Sequence, residues 1–127
     1  MPNQFKHHYT REEAQAQLPQ LRQWLDRLRE LRRELEKRDR RVGQLMDRGH
    51  DAGGPLVNDW VRGMADIREV FGEFERREIL IKDLERGLVD FPAIIGGREV
   101  FLCWEQDEET VEFWHELDGG YAGREHL

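Results

Sequence analysis

Residues 88–104 read LVDFPAIIGGREVFLCW, and this stretch decides the fold class. Leu88–Ile95 and Arg98–Trp104 are rich in β-branched and aromatic residues, which are typical of strands. Between them Gly96-Gly97 favours a tight hairpin turn, because glycine accepts positive φ. Pro92 has no N–H to donate, so we expect it at a sheet edge or beside a bulge. The sequence therefore predicts an antiparallel β-hairpin here.

The chain before this hairpin has the pattern of two long helices. Thr10-Arg11-Glu12-Glu13 fits a capping box that would start the first helix, and Pro19 would break or kink that helix because its ring crowds the preceding turn. An apolar stripe then continues to about Arg48, with members seven residues apart: Leu21, Leu28, Leu35 and Val42. Residues 49–55 are rich in glycine and end in proline, which predicts a reversal loop.

A second long helix is expected from this loop to Gly87, which would end it as C-terminal glycines do. Its main apolar stripe repeats every seven residues: Trp60, Ile67, Phe74, Ile81 and Leu88. A neighbouring stripe changes from apolar to acidic along the helix: Val57, Met64, Phe71, Glu78 and Glu85. The change marks either a polar pocket or a stripe that rotates toward solvent.

Together these elements predict an α+β protein with a single domain, residues 1–127. Residues 10–86 would form a long antiparallel helical hairpin. Residues 87–127 would add the small C-terminal β-hairpin, a short helix over residues 108–117 and an irregular tail from Asp118. Since two helices leave two faces to cover, we expect a homodimer that buries the leucine stripe.

Composition narrows the class of protein. Charged residues make up 37% of the chain, which favours solvated long helices over a compact all-β domain. No apolar run approaches the roughly 20 residues that cross a bilayer, and Met1–Lys6 lacks the apolar core of a signal peptide. The single cysteine, Cys103, cannot form an internal disulfide. We therefore expect a soluble cytoplasmic protein with no membrane association.

Charge is distributed unevenly along the chain. Residues 22–48 carry ten Lys or Arg against six Asp or Glu, whereas residues 87–127 carry two against ten. One half can therefore attract the other, within a subunit or across an oligomer. Nucleic-acid binding through Arg27 to Arg41 ranks last, because acidic residues interleave with the basic ones and can pair with them at i,i+4 spacing.

A metal-site hypothesis comes from the acidic segment near the end of the chain. Glu108, Glu112 and His115 would share one face of the predicted short helix. Carboxylate and imidazole in that arrangement can bind a divalent transition metal such as Zn, Mn or Fe. Further ligands would come from nearby acidic residues: Asp83, Glu85 or Asp90. The alternative is a hydrogen-bonded core histidine beside Trp114.

Two further residues have chemistry of their own. Cys103 lies in an apolar run, which is typical of a packed core thiol, while a nucleophilic role would need access and a partner such as His115. Arg124 can clamp a carboxylate or phosphate, or pair with one of the nearby acids. The common nucleotide-binding and hydrolase motifs are absent from the sequence.

Over its full length the chain resembles the bacterial family known as domain of unknown function 2203. The resemblance lies in these residues: Tyr9-Thr10-Arg11-Glu12-Glu13-Ala14, Leu18-Pro19, Lys82-Asp83-Leu84, Gly87 to Ala93, Leu102-Cys103-Trp104, Glu108, Trp114-His115 and Gly123-Arg124. The family is uncharacterised, so the resemblance implies no activity. Glu78 stands where the family is expected to have a small residue, which weakens Glu78 as a site residue.

Two sets of candidate site residues follow. The candidate binding residues are Asp83, Asp90, Cys103, Trp104, Trp114 and Arg124, and the candidate metal ligands are Asp90, Glu108 and His115. The first functional hypothesis is a non-enzymatic, dimeric interaction or assembly protein with a C-terminal polar binding site. The alternative is a metal-binding protein, with metal-dependent hydrolysis as one form of it. The sequence names no substrate, partner or particular metal.

Overall fold

Two helices and one antiparallel sheet make up the computed structural model, which describes residues 3–47 and 55–127. Helix α1 spans Arg11–Asp47 and helix α2 spans Pro55–Arg76. The strands are β1 (Leu80–Asp83), β2 (Leu88–Ile95), β3 (Arg98–Glu105), β4 (Phe113–Glu116) and β5 (Glu125–His126), and they adjoin in that order. The α+β class is confirmed. Residues 49–54 of the predicted reversal loop lie outside the described residues.

Helix α1 begins with the predicted capping box. The Thr10 N–H donates to Glu13 Oε1 over 2.9 Å, and the Glu13 N–H donates to Thr10 Oγ1 over 3.1 Å. The helix then continues through Pro19, so the predicted break is wrong. The loss of one helical hydrogen bond is tolerated because the neighbouring Leu18 and Leu21 are buried in the core.

Helices α1 and α2 are antiparallel, as in the predicted hairpin. Toward the end of α1 the Arg38 guanidinium donates to the Asp59 carbonyl oxygen over 3.4 Å. Nearer the sheet the ring centroids of Trp24 and Phe74 lie 5.7 Å apart. Within the described ranges, no helix is both long enough and apolar enough to cross a lipid bilayer.

Helix α2 ends at Arg76, so its predicted continuation to Gly87 is wrong. Ile81 and Leu88, which were expected in the apolar stripe of the helix, lie in β1 and β2 instead. Gly87 has φ 66° in the turn between these two strands. The seven-residue repeat therefore continues by coincidence from a helix into strands.

The C-cap of α2 explains why the helix ends early. The Ile79 N–H bonds to the Phe74 carbonyl oxygen and the Glu78 N–H bonds to the Glu75 carbonyl oxygen, both over about 3.0 Å. With φ 54° at Glu78, this is the pattern of a Schellman motif. Glycine is the usual residue at the left-handed position, so a glutamate there gives no signal in the sequence.

The predicted β-hairpin is present as β2 and β3. Its pairs run from Leu88 with Glu105 to Ile95 with Arg98, around the two glycines. Strand β2 pairs with β1 only as far as Asp90. Pro92 therefore lies on a side of β2 without a neighbouring strand, where its missing N–H costs no ladder hydrogen bond.

The C-terminal region is extended rather than helical. Residues 113–116 form β4, which pairs with β3, so the predicted helix over residues 108–117 is wrong. The tail, expected to be irregular, supplies β5, which pairs with β4. A segment with Phe113 and Trp114 suits a strand, and pairing on both sides satisfies its backbone groups.

Both helices lie on one face of the sheet. Successive strand residues point to opposite faces, and alternate residues of β2 and β3 join the leucines of α1 in the core. This core includes Leu18, Leu21, Leu25, Leu28, Val89, Phe91, Ala93, Val100, Leu102 and Trp104. The described part of the leucine stripe is therefore buried mostly within one chain, which contradicts our reason for placing a dimer interface there.

Residues 3–10, called the N-terminal strap below, are held by two glutamates. The Gln4 and Phe5 N–H groups donate to the Glu99 carboxylate over 2.7 and 3.1 Å. The next two N–H groups along the chain donate to Glu78 Oε1 over 2.9 and 2.6 Å. At the end of the strap the Tyr9 N–H donates to the Pro92 carbonyl oxygen over 2.7 Å. Glu78 thus anchors the chain terminus.

Candidate functional site

Asp90, Cys103 and His115 meet on the sheet face that points away from the helices. Asp90 and Cys103 are direct partners across β2 and β3, and His115 on β4 pairs with Phe101, two residues before Cys103. The alternation of side chains along a strand therefore gives all three the same face. One nitrogen, oxygen or sulfur atom from each lies within 4.8 Å of the others. We call these residues the Asp-Cys-His cluster.

Hydrogen bonds fix the orientation of the His115 ring. Its Nδ1 lies 2.7 Å from the Glu116 carbonyl oxygen, which accepts a hydrogen bond when Nδ1 carries the proton. Its Nε2 lies 3.1 Å from Asp90 Oδ1. The Gly120 N–H lies 3.2 Å from Nδ1 and donates to it when Nδ1 carries the lone pair, so the two contacts belong to different tautomers. The nitrogen that faces the cluster is therefore Nε2.

The cluster is buried and its acidic groups are poorly solvated. Asp90 and Cys103 are each 1% exposed and His115 is 2% exposed. Burial raises the pKa of Asp90, while the neighbouring His115 partly opposes that rise. Burial, with the charge of Asp90, raises the pKa of Cys103 to about 12. Without a cation beside it, Cys103 is therefore a protonated thiol and a poor nucleophile.

A cavity of about 200 Å³ opens beside the cluster. The three cluster residues form its floor together with Leu88, and the segment after β4 forms much of its wall: Leu117, Asp118, Gly119, Gly120 and Tyr121. Lys82 lines it from β1. The cavity is therefore lined both by the buried ligand atoms of the cluster and by charged and hydrogen-bonding groups.

A second polar group surrounds Arg124. Its guanidinium lies 3.8 Å from the ring centroid of Phe113 and 4.6 Å from that of Tyr121. It forms an ion pair with Glu108 and lies 3.9 Å from Glu105. Arg124 thus pairs with nearby acids, which is one of the two roles its sequence context allowed.

Glu108, predicted as a metal ligand, is not part of the Asp-Cys-His cluster. Besides its pair with Arg124, its Oε1 accepts the Glu105 N–H over 2.8 Å. The prediction assumed a helix that would carry Glu108 and His115 on one face, and that helix does not form. Cys103 lies beside Asp90 and His115 in its place.

The remaining predicted binding residues lie elsewhere. Trp104 is buried in the core on the helix side, where its Nε1–H donates to the Glu108 carbonyl oxygen over 2.9 Å. Trp114 packs against the same core. Asp83 lies at the turn after β1, where Oδ1 accepts the Arg86 N–H over 3.1 Å. None of the three lines the cavity beside the cluster.

Lys82 and Tyr121 line the cavity, although the sequence did not single them out as site residues. Lys82 lay inside the predicted second helix, and only the strand β1 that replaces the end of that helix brings it to the cavity. The run Ile79-Leu80-Ile81, with two β-branched residues, is the one local signal for that strand.

The fold and the site define an α+β protein that carries a buried Asp-Cys-His cluster beside a small cavity. The chain belongs to the uncharacterized conserved protein family DUF2203, whose family model matches residues 7–127. This match confirms the resemblance seen in the sequence motifs. No curated protein and no solved structure matches the chain. The function must therefore be argued from the site itself.

Proposed function

We propose that this protein binds a divalent transition metal, and zinc first of all, through Asp90, Cys103 and His115. The observation that carries the proposal is that one ligand atom from each of these three buried residues lies within 4.8 Å of the others. Ligands bound to one zinc ion are about 2.0–2.3 Å from it and hence roughly 3.5 Å from one another. Small side-chain rotations are enough to close the remaining difference.

The chemistry of the three groups favours zinc over manganese. Zinc is a borderline-soft ion that binds soft thiolate and imidazole well, whereas manganese prefers sets made of oxygen atoms. A buried carboxylate and a buried thiol are also costly to ionise without a cation nearby. A zinc ion would offset that cost for Asp90 and Cys103 together, and it would displace the thiol proton on binding.

The surroundings of His115 support the same proposal. Histidine ligands in zinc sites usually donate their second ring N–H to a carbonyl or carboxylate oxygen, which holds the ring in place. The Nδ1 of His115 has such a partner in the Glu116 carbonyl oxygen at 2.7 Å, which leaves Nε2 toward Asp90.

The metal content of untagged protein, purified without chelators, tests the proposal. We expect about one zinc ion per chain by elemental mass spectrometry, and we expect added zinc to raise the melting temperature of metal-depleted protein. The variants Asp90→Asn, Cys103→Ser and His115→Gln keep side-chain size and should each lose most of the metal. Circular dichroism of each variant would show whether the fold is retained.

Glu108→Gln is the matched control, because Glu108 is a nearby acid that was predicted as a ligand from sequence. It should keep its zinc while losing the ion pair with Arg124. A folded wild-type protein that takes up no zinc on dialysis would contradict the proposal. Equal loss of metal in Glu108→Gln and His115→Gln would instead favour the ligand set predicted from sequence.

We place this proposal ahead of the non-enzymatic assembly hypothesis, because the leucines expected at a dimer interface are buried within one chain. A homodimer and a cytoplasmic location both stay predictions. If a dimer forms, α2 offers it one apolar surface, since Val61 is 54% exposed and Met64 is 38% exposed.

A further inference from the structure

We infer that the metal bound by the Asp-Cys-His cluster keeps one exchangeable coordination position, which faces the cavity and takes a small carboxylate. This inference rests on the proposed function, since it concerns the same site. An exchangeable position is the property that separates catalytic zinc, with three protein ligands, from structural zinc, with four.

The three proposed ligands all lie on one side of the bound metal ion. Asp90, Cys103 and His115 all project from neighbouring strands, so they approach a bound ion from the sheet side. The cavity of about 200 Å³ lies directly on the cluster, with all three residues in its lining. A fourth ligand in a tetrahedral arrangement would therefore come from the cavity.

The described residues supply three ligand atoms to the cluster and leave the fourth coordination position open. Among the described residues, the group of possible ligands within 4.8 Å contains Asp90, Cys103 and His115 and no fourth member. Asp118 lines the cavity but stands outside that group. Asp118 follows β4 and is exposed to solvent. A water molecule or an external ligand would occupy the fourth position.

Charge indicates the kind of ligand. A zinc ion with one carboxylate, one thiolate and a neutral imidazole has no net charge. Lys82 lines the cavity together with Asp90, and its ammonium nitrogen lies 5.5 Å from the ring centroid of Phe101. A carboxylate that replaces the metal-bound water would be attracted by Lys82, while Asp118, which also lines the cavity, would oppose it. The cavity volume limits this ligand to a small molecule.

Cobalt(II) provides the test, because it replaces zinc in such sites and its visible spectrum reports both thiolate coordination and exchange of other ligands. Metal-depleted protein would be loaded with cobalt and titrated with acetate. We expect a cysteine-dependent charge-transfer band on loading and a saturable change of the cobalt bands on addition of acetate. Lys82→Met should weaken acetate binding roughly tenfold. Lys37→Met, on the exposed side of α1, should leave it unchanged.

The outcomes separate the two proposals. Failure to take up cobalt would contradict the metal site itself. Cobalt uptake with no response to acetate, in both the wild type and Asp118→Asn, would overturn the exchangeable position alone. A response seen only in Asp118→Asn would also overturn it, because Asp118 would then be the fourth ligand of the native protein. A response that Lys82→Met leaves unchanged would overturn the role of Lys82 in selecting an anion.

Discussion

Gly87 is a residue that the turn between β1 and β2 requires. It has φ 66°, and a Cβ added there would lie 2.6 Å from Gln106 Cβ. Gln106 cannot move aside freely, because its Oε1 accepts from Arg29 over 2.7 Å. We expect Gly87→Ala to lower the free energy of unfolding by about 2–4 kcal/mol, from the left-handed backbone and the contact together. Urea denaturation of the variant and the wild type would measure this loss of unfolding free energy.

Gly96→Ala is the control for that substitution. Gly96 has a similar φ of 59°, but a Cβ added there would meet nothing within 4 Å. It should therefore cost only the backbone strain, about 1 kcal/mol. Equal losses in the two variants would show that the contact with Gln106 contributes nothing.

For single residues, two members of the Asp-Cys-His cluster were named from the sequence as candidate ligands. Asp90 and His115 were predicted as ligands, and Asp90 Oδ1 lies 3.1 Å from His115 Nε2 in the structure. Glu108 was predicted as a ligand from its helical spacing to His115. Because Glu108 lies in a loop and His115 in a strand, that spacing does not bring the two side chains to one face. Cys103 was interpreted as a core residue because of its apolar neighbours, and it was placed among the candidate binding residues but not among the metal ligands. Its register opposite Asp90 is a tertiary fact that composition does not contain.

The N-terminal strap is an element whose attachment depends on pH. Burial alone would raise the pKa of Glu99, but hydrogen bonds from His8 and from the Gln4 and Phe5 N–H groups lower it below the usual range. The folded protein therefore holds Glu99 ionised more strongly than the unfolded chain does. The resulting stabilisation is complete above the unfolded pKa of about 4.3 and is lost as pH falls through the folded pKa.

We therefore expect the strap to detach in acid before the sheet unfolds. Hydrogen exchange of the Gln4 and Phe5 amides should accelerate as pH falls below about 4.3, after correction for the intrinsic rate. In Glu99→Gln the same amides should exchange quickly already at neutral pH and show little further change. An unchanged protection factor in that variant would mean that Glu99 does not hold the strap.

The elements show where sequence patterns are reliable. The β2–β3 hairpin and the capping box of α1 were predicted correctly, because both depend on contacts between residues close in the chain. The end of α2 was missed, since its C-cap places a glutamate where glycine is usual. Glu78 also anchors the strap through the Lys6 and His7 N–H groups, which lie 72 and 71 positions away in sequence. Strand β4 was missed because its partner strand decides its structure.

At the scale of the whole molecule, basic side chains of α1 attach this helix to the segment between β1 and β2. Arg29 of α1 donates to the Leu84 carbonyl oxygen over 3.0 Å, and Arg32 forms an ion pair with Glu85. Basic residues of the segment considered for nucleic-acid binding thus contact the protein itself. Leu84 and Glu85 lie just before the acidic segment of residues 87–127, so the expected attraction between the two segments stays a prediction.

Arg22 tests how much the contacts of such basic side chains contribute to stability. Its guanidinium donates to the carbonyl oxygens of Gln106 and Glu108 over 2.7 and 3.0 Å, and it lies 5.0 Å from the ring centroid of Trp104. It thereby ties α1 to the segment between β3 and β4. We expect Arg22→Met to lower the free energy of unfolding by about 2–3 kcal/mol in chemical denaturation.

Arg27→Met removes the same charge from the same helix and is the matched control. Arg27 is exposed, and its nearest partner, Glu30, lies 3.7 Å away on the surface. Its loss should change stability by less than about 0.5 kcal/mol. If both variants lost the same small amount, attachment of α1 to the sheet would depend on the buried leucines alone. A larger loss for Arg22→Met that persists in 1 M salt would assign the effect to its partly buried hydrogen bonds, since salt screens surface attraction.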